Sequence, residues 1–317
     1  MTALESRWGS LEPGKGFQRI DESHPLDFYI GIDISEHRIL LLLLDSELRV
    51  PVQSQAIGVL CRQRQDGRWA LMFSLSRPEF GPLFSHLCED FVESCRQISD
   101  KSIAGGLILS RFERWQRLLR SGSTGLLDES AQKGLLGELL FLQQFALPTY
   151  GATAALEGWV GPLEAEQDFR YIDRIFEIKT IGPDALNVKI SSAEQLDDTD
   201  RPIQLVVAVL DQTDRTDTGA FCLSDIVAEL RQELRVDPGA SSLFDDRLLS
   251  AGYFDRDEYS TRFYRLGRFR RFAIREGFPR IMQSLLPSGI RNVRYGLDLQ
   301  ACLSYEVTGT VKEPNEP

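Results

Sequence analysis

The apolar positions change period several times along the chain, and each change predicts an element. Phe28-Tyr-Ile-Gly-Ile-Asp33 and Arg38–Asp45 are strand-like runs on either side of the polar Ile34-Ser-Glu-His37 segment, which predicts a hairpin. A second hairpin is expected from Val59–Arg64 and Arg68–Ser74 around Gln65-Asp-Gly67, because Asp-Gly tolerates the backbone angles of a tight turn. From Pro78 the spacing lengthens: Phe80, Leu83, Leu87, Phe91 and Cys95 recur every three or four residues, as on one face of a helix. Another helix is read over Ile103–Arg120, with Trp115, Leu118 and Leu119 on one side. Residues 1–24, rich in Gly, Pro and charge, are expected to wrap the surface. Residues 1–121 thus read as a small β-rich domain closed by helices.

Gly122-Ser-Thr-Gly125 predicts a flexible joint, and a second domain is expected over residues 122–317. Its first helix, about Asp128–Phe145, has a nearly continuous apolar set (Leu135, Leu136, Leu139, Leu140, Leu142) and should be deeply buried. Glu138 sits inside that set. A buried carboxylate needs a cation, a metal or a hydrogen-bond donor, so a structural salt bridge and a place beside a metal are both open. Gln167–Ile172 and Ile175–Ile181 alternate as strands around Asp173-Arg174, and Leu186–Ile190 is a third strand. Ser191, three residues before Glu194, has the pattern of a capping box and should open a helix carrying Gln195. The apolar run after Pro202, to Leu210, reads as a strand buried on both faces. Ser224–Arg235 reads as an amphipathic helix with Ile226, Leu230 and Leu234 inward. The order predicts an α/β (α+β) domain with α/β/α layering and a C-terminal β extension. No internal repeat or low-complexity segment interrupts it.

Composition narrows the function classes. A chain of 317 residues, 42% hydrophobic and 26% charged, suits one large globular domain or two ordinary ones. The longest uncharged apolar candidate, Ile39–Leu44, is a buried strand, far short of the ~18 residues a membrane span requires. The N-terminus lacks the basic-then-apolar layout of a signal peptide, so a cytoplasmic protein without a membrane partner is expected. Cys61, Cys88, Cys95, Cys222 and Cys302 are scattered, and His24, His37 and His86 all lie in the first third. That distribution predicts reduced core cysteines and speaks against a zinc site or a His-based triad. Neither a P-loop nor a GxGxxG motif is present, which argues against ATP hydrolysis and against a small-molecule cofactor enzyme.

The net charge of −11 would repel DNA at long range, so a nucleic-acid enzyme of this composition needs a local basic patch, a partner or metal ions. The chain has such a patch. Arg262, Arg265, Arg268, Arg270 and Arg271, with Arg275 and Arg280 beyond, are opposed only by Glu276. Aromatic residues interleave with them, so the stretch could contact DNA backbone, or equally be strands with an arginine-rich outer face. Asp197, Asp198 and Asp200 are expected to mark an exposed loop.

Chemistry concentrates in Asp168…Glu177-Ile178-Lys179. Glu177 and Lys179, two apart on a predicted strand, point to one face, while Phe176 and Ile178 point to the other. A turn at Asp173-Arg174 folds the Asp168 strand back beside Glu177. Phosphodiester cleavage asks for such groups: carboxylates to hold a divalent ion against the scissile phosphate, and a lysine to orient water or neutralise the transition state.

These residues and their order resemble the PD-(D/E)XK, or restriction-endonuclease-like, superfamily. Gly134–Leu142, Gly158-Trp-Val-Gly161, Asp168-Phe169, Phe176–Thr180, Ile190–Leu196 and Phe278-Pro-Arg-Ile281 resemble more narrowly a family catalogued within it, over about residues 105–305. The resemblance implies a restriction-endonuclease-like core with a mixed sheet and a magnesium- or manganese-dependent deoxyribonuclease. It implies Asp168 and Glu177 as metal ligands, the Ile178 carbonyl as a third, and Lys179 beside the water or transition state. Glu138 would take a second metal or orient a metal-bound water, and Gln195 would contact phosphate or support the lysine. It also implies a subunit of a bacterial anti-phage defence or restriction system, acting on DNA with ATPase or helicase-like partners. A homodimer would suit double-strand cleavage. Gln167 stands where the superfamily's naming Pro is found. Together with the acidic net charge, that leaves an alternative: a catalytically inactive adaptor that keeps the fold and binds DNA or partner proteins.

Overall fold

The computed structural model describes residues 3–50, 56–120, 126–197 and 201–307. The 122–125 joint and the acids Asp198 and Asp200 lie outside the described residues, as do the side chains of Leu118 and Leu119. The chain divides into two compact units, Met1–Leu126 and Leu127–Pro317. No helix among the described residues is long and apolar enough to cross a membrane.

The first unit is built on one antiparallel sheet. Helix α1 (Ala3–Trp8) precedes β1 (Phe17–Arg19), β2 (Phe28–Ile32), β3 (Arg38–Leu44), β4 (Ile57–Gln63) and β5 (Trp69–Leu75). The strands lie in the order β1-β2-β3-β5-β4. The run Ile39–Leu44 is buried throughout because β3 is central. The Asp66-Gly67 turn forms as expected: Gly67 has φ +83° and Asp66 Oδ1 accepts from the Arg68 amide at 3.1 Å. Helices α2 (Gly81–Ser94) and α3 (Lys101–Arg120) follow. They set Phe91 and Phe112 against Phe73 of β5 with ring centroids 5.0 and 5.2 Å apart. The N-terminal segment lies largely at the surface, as expected, but is anchored in the core at two points. Leu4 and Trp8 are buried, and Trp8 Nε1 donates to the Gly31 carbonyl at 3.2 Å. Burying a large ring outweighs the polar composition of its neighbours.

The second unit carries a mixed sheet flanked by helices and a ribbon. Asp128 caps α4 (Glu129–Phe141), accepting from the Ala131 amide at 2.8 Å. The helix continues through a π-turn into α5 (Leu147–Tyr150) and α6 (Ala152–Gly158). Next come β6 (Phe169–Arg170), β7 (Ile175–Ile181), β8 (Asn187–Ile190), β9 (Ile203–Thr213), α7 (Leu223–Leu234), α8 (Pro238–Ser250), β10 (Phe263–Ile274) and β11 (Tyr295–Asp298). The main sheet runs β10-β9-β7-β6. Strands β7 and β9 are parallel; the two outer pairings are antiparallel.

Each sheet face has its own cover. On one side Phe141 of α4 and Phe145 stand 4.9 and 5.1 Å from Phe176 of β7. On the other, Leu205, Val207 and Phe272 pack against Val188, Ile190, Leu196, Leu297 and Leu299, so the β8–β11 ribbon and its adjoining turns form that layer. The helix expected from Ser191 is a single 3-10 turn, Ala193–Leu196. The reason is local: Gln195 Oε1, rather than the Glu194 side chain, accepts the Ser191 amide at 2.8 Å, which closes a turn instead of starting a helix.

Gly137 marks where α4 meets β7. A Cβ there would collide with Thr180 Oγ1 and stand 3.6 Å from Ile178 Cγ2. Gly137→Ala is expected to destabilise the unit by about 1–3 kcal/mol through overpacking. Urea unfolding checks this; an unchanged midpoint would show that the helix can slide.

Candidate functional site

Strand β7 positions Glu177 and Lys179 on one face and Phe176, Ile178 and Thr180 on the α4 side. Asp168 immediately precedes β6, whose register pairs Phe169 with Phe176 and Arg170 with Ile175. One step back along that register brings Asp168 to Glu177. Asp168 is held by its surroundings at both ends. Its carbonyl accepts from the Val160 and Gly161 amides, each at 2.9 Å, and its Oδ2 accepts from the Ile178 amide at 2.7 Å. Ile178 thus meets Asp168 through its amide.

Glu177 is fully buried. Lys179 Nζ approaches its Oε1 to 2.7 Å, while its Oε2 has no hydrogen-bond partner among the described residues. Lys179 also donates to Gln195 Oε1 at 3.0 Å. Gln195 thus takes two donors and holds the ammonium beside Glu177. Glu138, on α4, is partly buried and accepts from Trp159 Nε1 at 2.7 Å. The structure therefore brings together Asp168, Glu177, Lys179, Gln195 and Glu138.

Burial raises all three carboxyls. It pushes Asp168 up to about 6, against the opposing pull of the Ile178 amide and Lys179. Glu177 is pushed well above the usual range by burial, then by the Asp168 charge, with Lys179 opposing. Glu138 is raised by burial and by Asp168, while Trp159 and Lys179 lower it. Asp168 raises both glutamates and Glu138 adds to Glu177, an electrostatic condition that a cation relieves.

The residues present fit a hard divalent ion. The ligands on offer are carboxylate oxygens, and one of them, Glu177 Oε2, is buried with no hydrogen-bond partner among the described residues. Among the described residues no three His, Cys, Asp or Glu side chains form a ready metal-holding group. Magnesium is satisfied with one or two carboxylates and several waters, so Asp168 and Glu177 are a sufficient protein share.

Three residues around the site were not given a role from the sequence. Trp159 is the donor to Glu138. Gly161 passes over the pair: a Cβ there would stand 2.9 Å from Asp168 Oδ1, 3.1 Å from Asp168 Cα and 3.3 Å from Glu138 Oε2. The Gly-Trp-Val-Gly pattern was the available signal for both. Gln167 is buried and donates to the Glu194 carbonyl at 2.8 Å, tying the Asp168 segment to the turn that carries Gln195.

The five arginines do not form one group. Arg265 and Arg268 are exposed on β10, and Arg262 is exposed just ahead of it. Arg270 is forked onto Glu306 at 2.8 Å through both Nε and Nη2, and Arg271 is buried.

A family model described as "Putative PD-(D/E)XK family member (DUF4420)" matches residues 4–300. The chain belongs to this family. The match spans both compact units, so the N-terminal sheet is part of what the family shares. The membership accords with the mixed-sheet α+β fold and a nuclease-like core; PD-(D/E)XK nucleases generally use divalent metals. No curated protein and no solved structure matches the chain.

Proposed function

We propose that the protein is a divalent-metal-dependent DNA endonuclease, with Asp168 and Glu177 as metal ligands and Lys179 at the reacting phosphate. The observation that carries this is the pairing of Asp168 with Glu177, a buried carboxylate with Lys179 2.7 Å from one oxygen and no hydrogen-bond partner among the described residues at the other. A bound magnesium or manganese would lower the pKa of a water and neutralise phosphate charge. The chain's own residues do the rest. Gln195 fixes the Lys179 ammonium, which orients a nucleophilic water or meets charge developing on the phosphoryl oxygens. Trp159 and Gly161 keep Glu138 close to Asp168, where it can adjust a water. The defence-system setting, with ATPase or helicase-like partners, is supported by the family resemblance of the 134–142 and 158–161 motifs.

Incubation of supercoiled plasmid with the purified chain tests the reading. Nicked or linear product is expected with magnesium or manganese and none with EDTA. Plasmid left intact by both metals would overturn it.

A further inference from the structure

The register of the main sheet places three arginines of β10 on the face that bears Glu177 and Lys179. Residues paired directly across neighbouring strands point to the same side. Glu177 and Lys179 stand opposite Leu205 and Val207, and these stand opposite Phe272 and Arg270. One row further, Ile181 is opposite Val209, which is opposite Arg268. Arg265 is opposite Asp211, the next same-face position on β9. In an unbroken strand Arg265 and Arg268, three apart, would face opposite sides. The register shift between Leu266 and Arg268 inserts Gly267 and turns both to one face. Arg271 is opposite Val206, and so falls on the other side.

Two of these guanidiniums are held by carboxylates, and the exposed one, Asp211, is the one a phosphate could replace. Arg265 Nη2 lies 2.8 Å from Asp211 Oδ2, with the two side chains 53% and 40% exposed. Arg270 takes Glu306 in a two-pronged fork, a geometry that fits phosphate as well as carboxylate. Ion pairs exposed to water are worth little, so exchange of Asp211 for an arriving phosphate is cheap. Same-face neighbours along the strand are about 6.6 Å apart, and β10 lies two strands, ~10 Å, from β7.

We propose that Arg265, Arg268 and Arg270 form a row of DNA-backbone contacts that serves the Asp168–Glu177 site. The bulge brings Arg265 onto the face of Arg268 and Arg270, a local arginine row in a chain of net charge −11. The destination of the row rests on the nuclease reading; the row itself does not.

The test is fluorescence anisotropy of a labelled DNA duplex in EDTA, across a salt series, beside plasmid cleavage in magnesium and manganese. The variants are the Arg265→Ala/Arg268→Ala double and a charge-matched Arg291→Ala/Arg294→Ala control. The row predicts at least about tenfold weaker binding for the β10 double variant, and a log–log salt slope shallower by roughly 2. The control should bind within about twofold of wild type. Equal losses in both doubles, an unchanged slope in the β10 double, or a wild type that does not bind DNA would each overturn the row. Wild-type cleavage with an unchanged slope in the β10 double removes the row and keeps the nuclease. Slope loss with no cleavage by wild type in either metal keeps the row and removes the nuclease.

Discussion

Lys179→Met is expected to lower metal-dependent plasmid cleavage by about 10²–10³-fold, the usual cost of losing one preorganised charge-stabilising donor. The side chain lies 2.7 Å from Glu177 and is fixed by Gln195, so its ammonium is held in advance of the reaction. Methionine keeps the length and apolar stem, and β7 remains packed through Phe176 and Ile178 on its other face. The carboxylates are untouched, so manganese titration by calorimetry should still show binding. Loss of cleavage with retained metal heat is the signature of a group acting on the phosphate or water rather than on the ion. Cleavage within threefold of wild type would remove Lys179 from the chemistry.

Glu177→Gln should abolish cleavage and, in EDTA, raise the melting temperature above pH 7. The sign follows from proton linkage. A carboxyl whose folded pKa is raised binds more protons in the native than in the unfolded state. Its stabilising contribution is complete below the ordinary carboxyl pKa and is lost as the pH climbs through the folded value. For Asp168 that window runs from 3.8 to about 6, on the order of 3 kcal/mol at ~1.4 kcal/mol per unit. For Glu177, raised by burial and by Asp168, the loss extends higher. Wild-type stability without metal should therefore fall as pH rises from 4, and divalent ion should restore it. Glutamine removes one of the coupled charges and flattens the fall. A gain of 1 kcal/mol corresponds to about 2–4 °C for a unit of this size. A melting curve for Glu177→Gln that falls with pH as steeply as wild type would show that the buried glutamate is not the source.

The positions of β2 to β9 and of α2, α3, α4 and α7 were legible in the order of residues, because burial on one face or two leaves periods that survive in any single sequence, while α1, β1, α8 and β11 were not read. Glu177 and Lys179 could be put on one face for the same reason: alternation along a strand is geometry that the chain carries locally. Asp168 beside Glu177 required only a short turn at Asp173-Arg174. The segment after Ser191 misled, since Ser191 and Glu194 have the spacing of a helix cap while the amide of Ser191 is taken by Gln195. Trp8 misled in the other direction: Gly, Pro and charge around it describe a surface, and the ring is buried all the same.

What the sequence alone determined is therefore most of the strands and the longer flanking helices, the two-part organisation as an expectation, and which chemical groups share a strand face. Tertiary structure decided everything that depends on partners distant in the chain. It brought Trp159 to Glu138 across 21 residues and passed Gly161 over Asp168 where a Cβ would not fit. It made β9 parallel to β7, and through that pairing and the Gly267 bulge chose which arginines stand on the site's face. Periodicity reports how a residue meets water. It holds no record of which neighbour arrives from elsewhere in the chain, and here those neighbours set the register, the burial and the raised pKa values of the site.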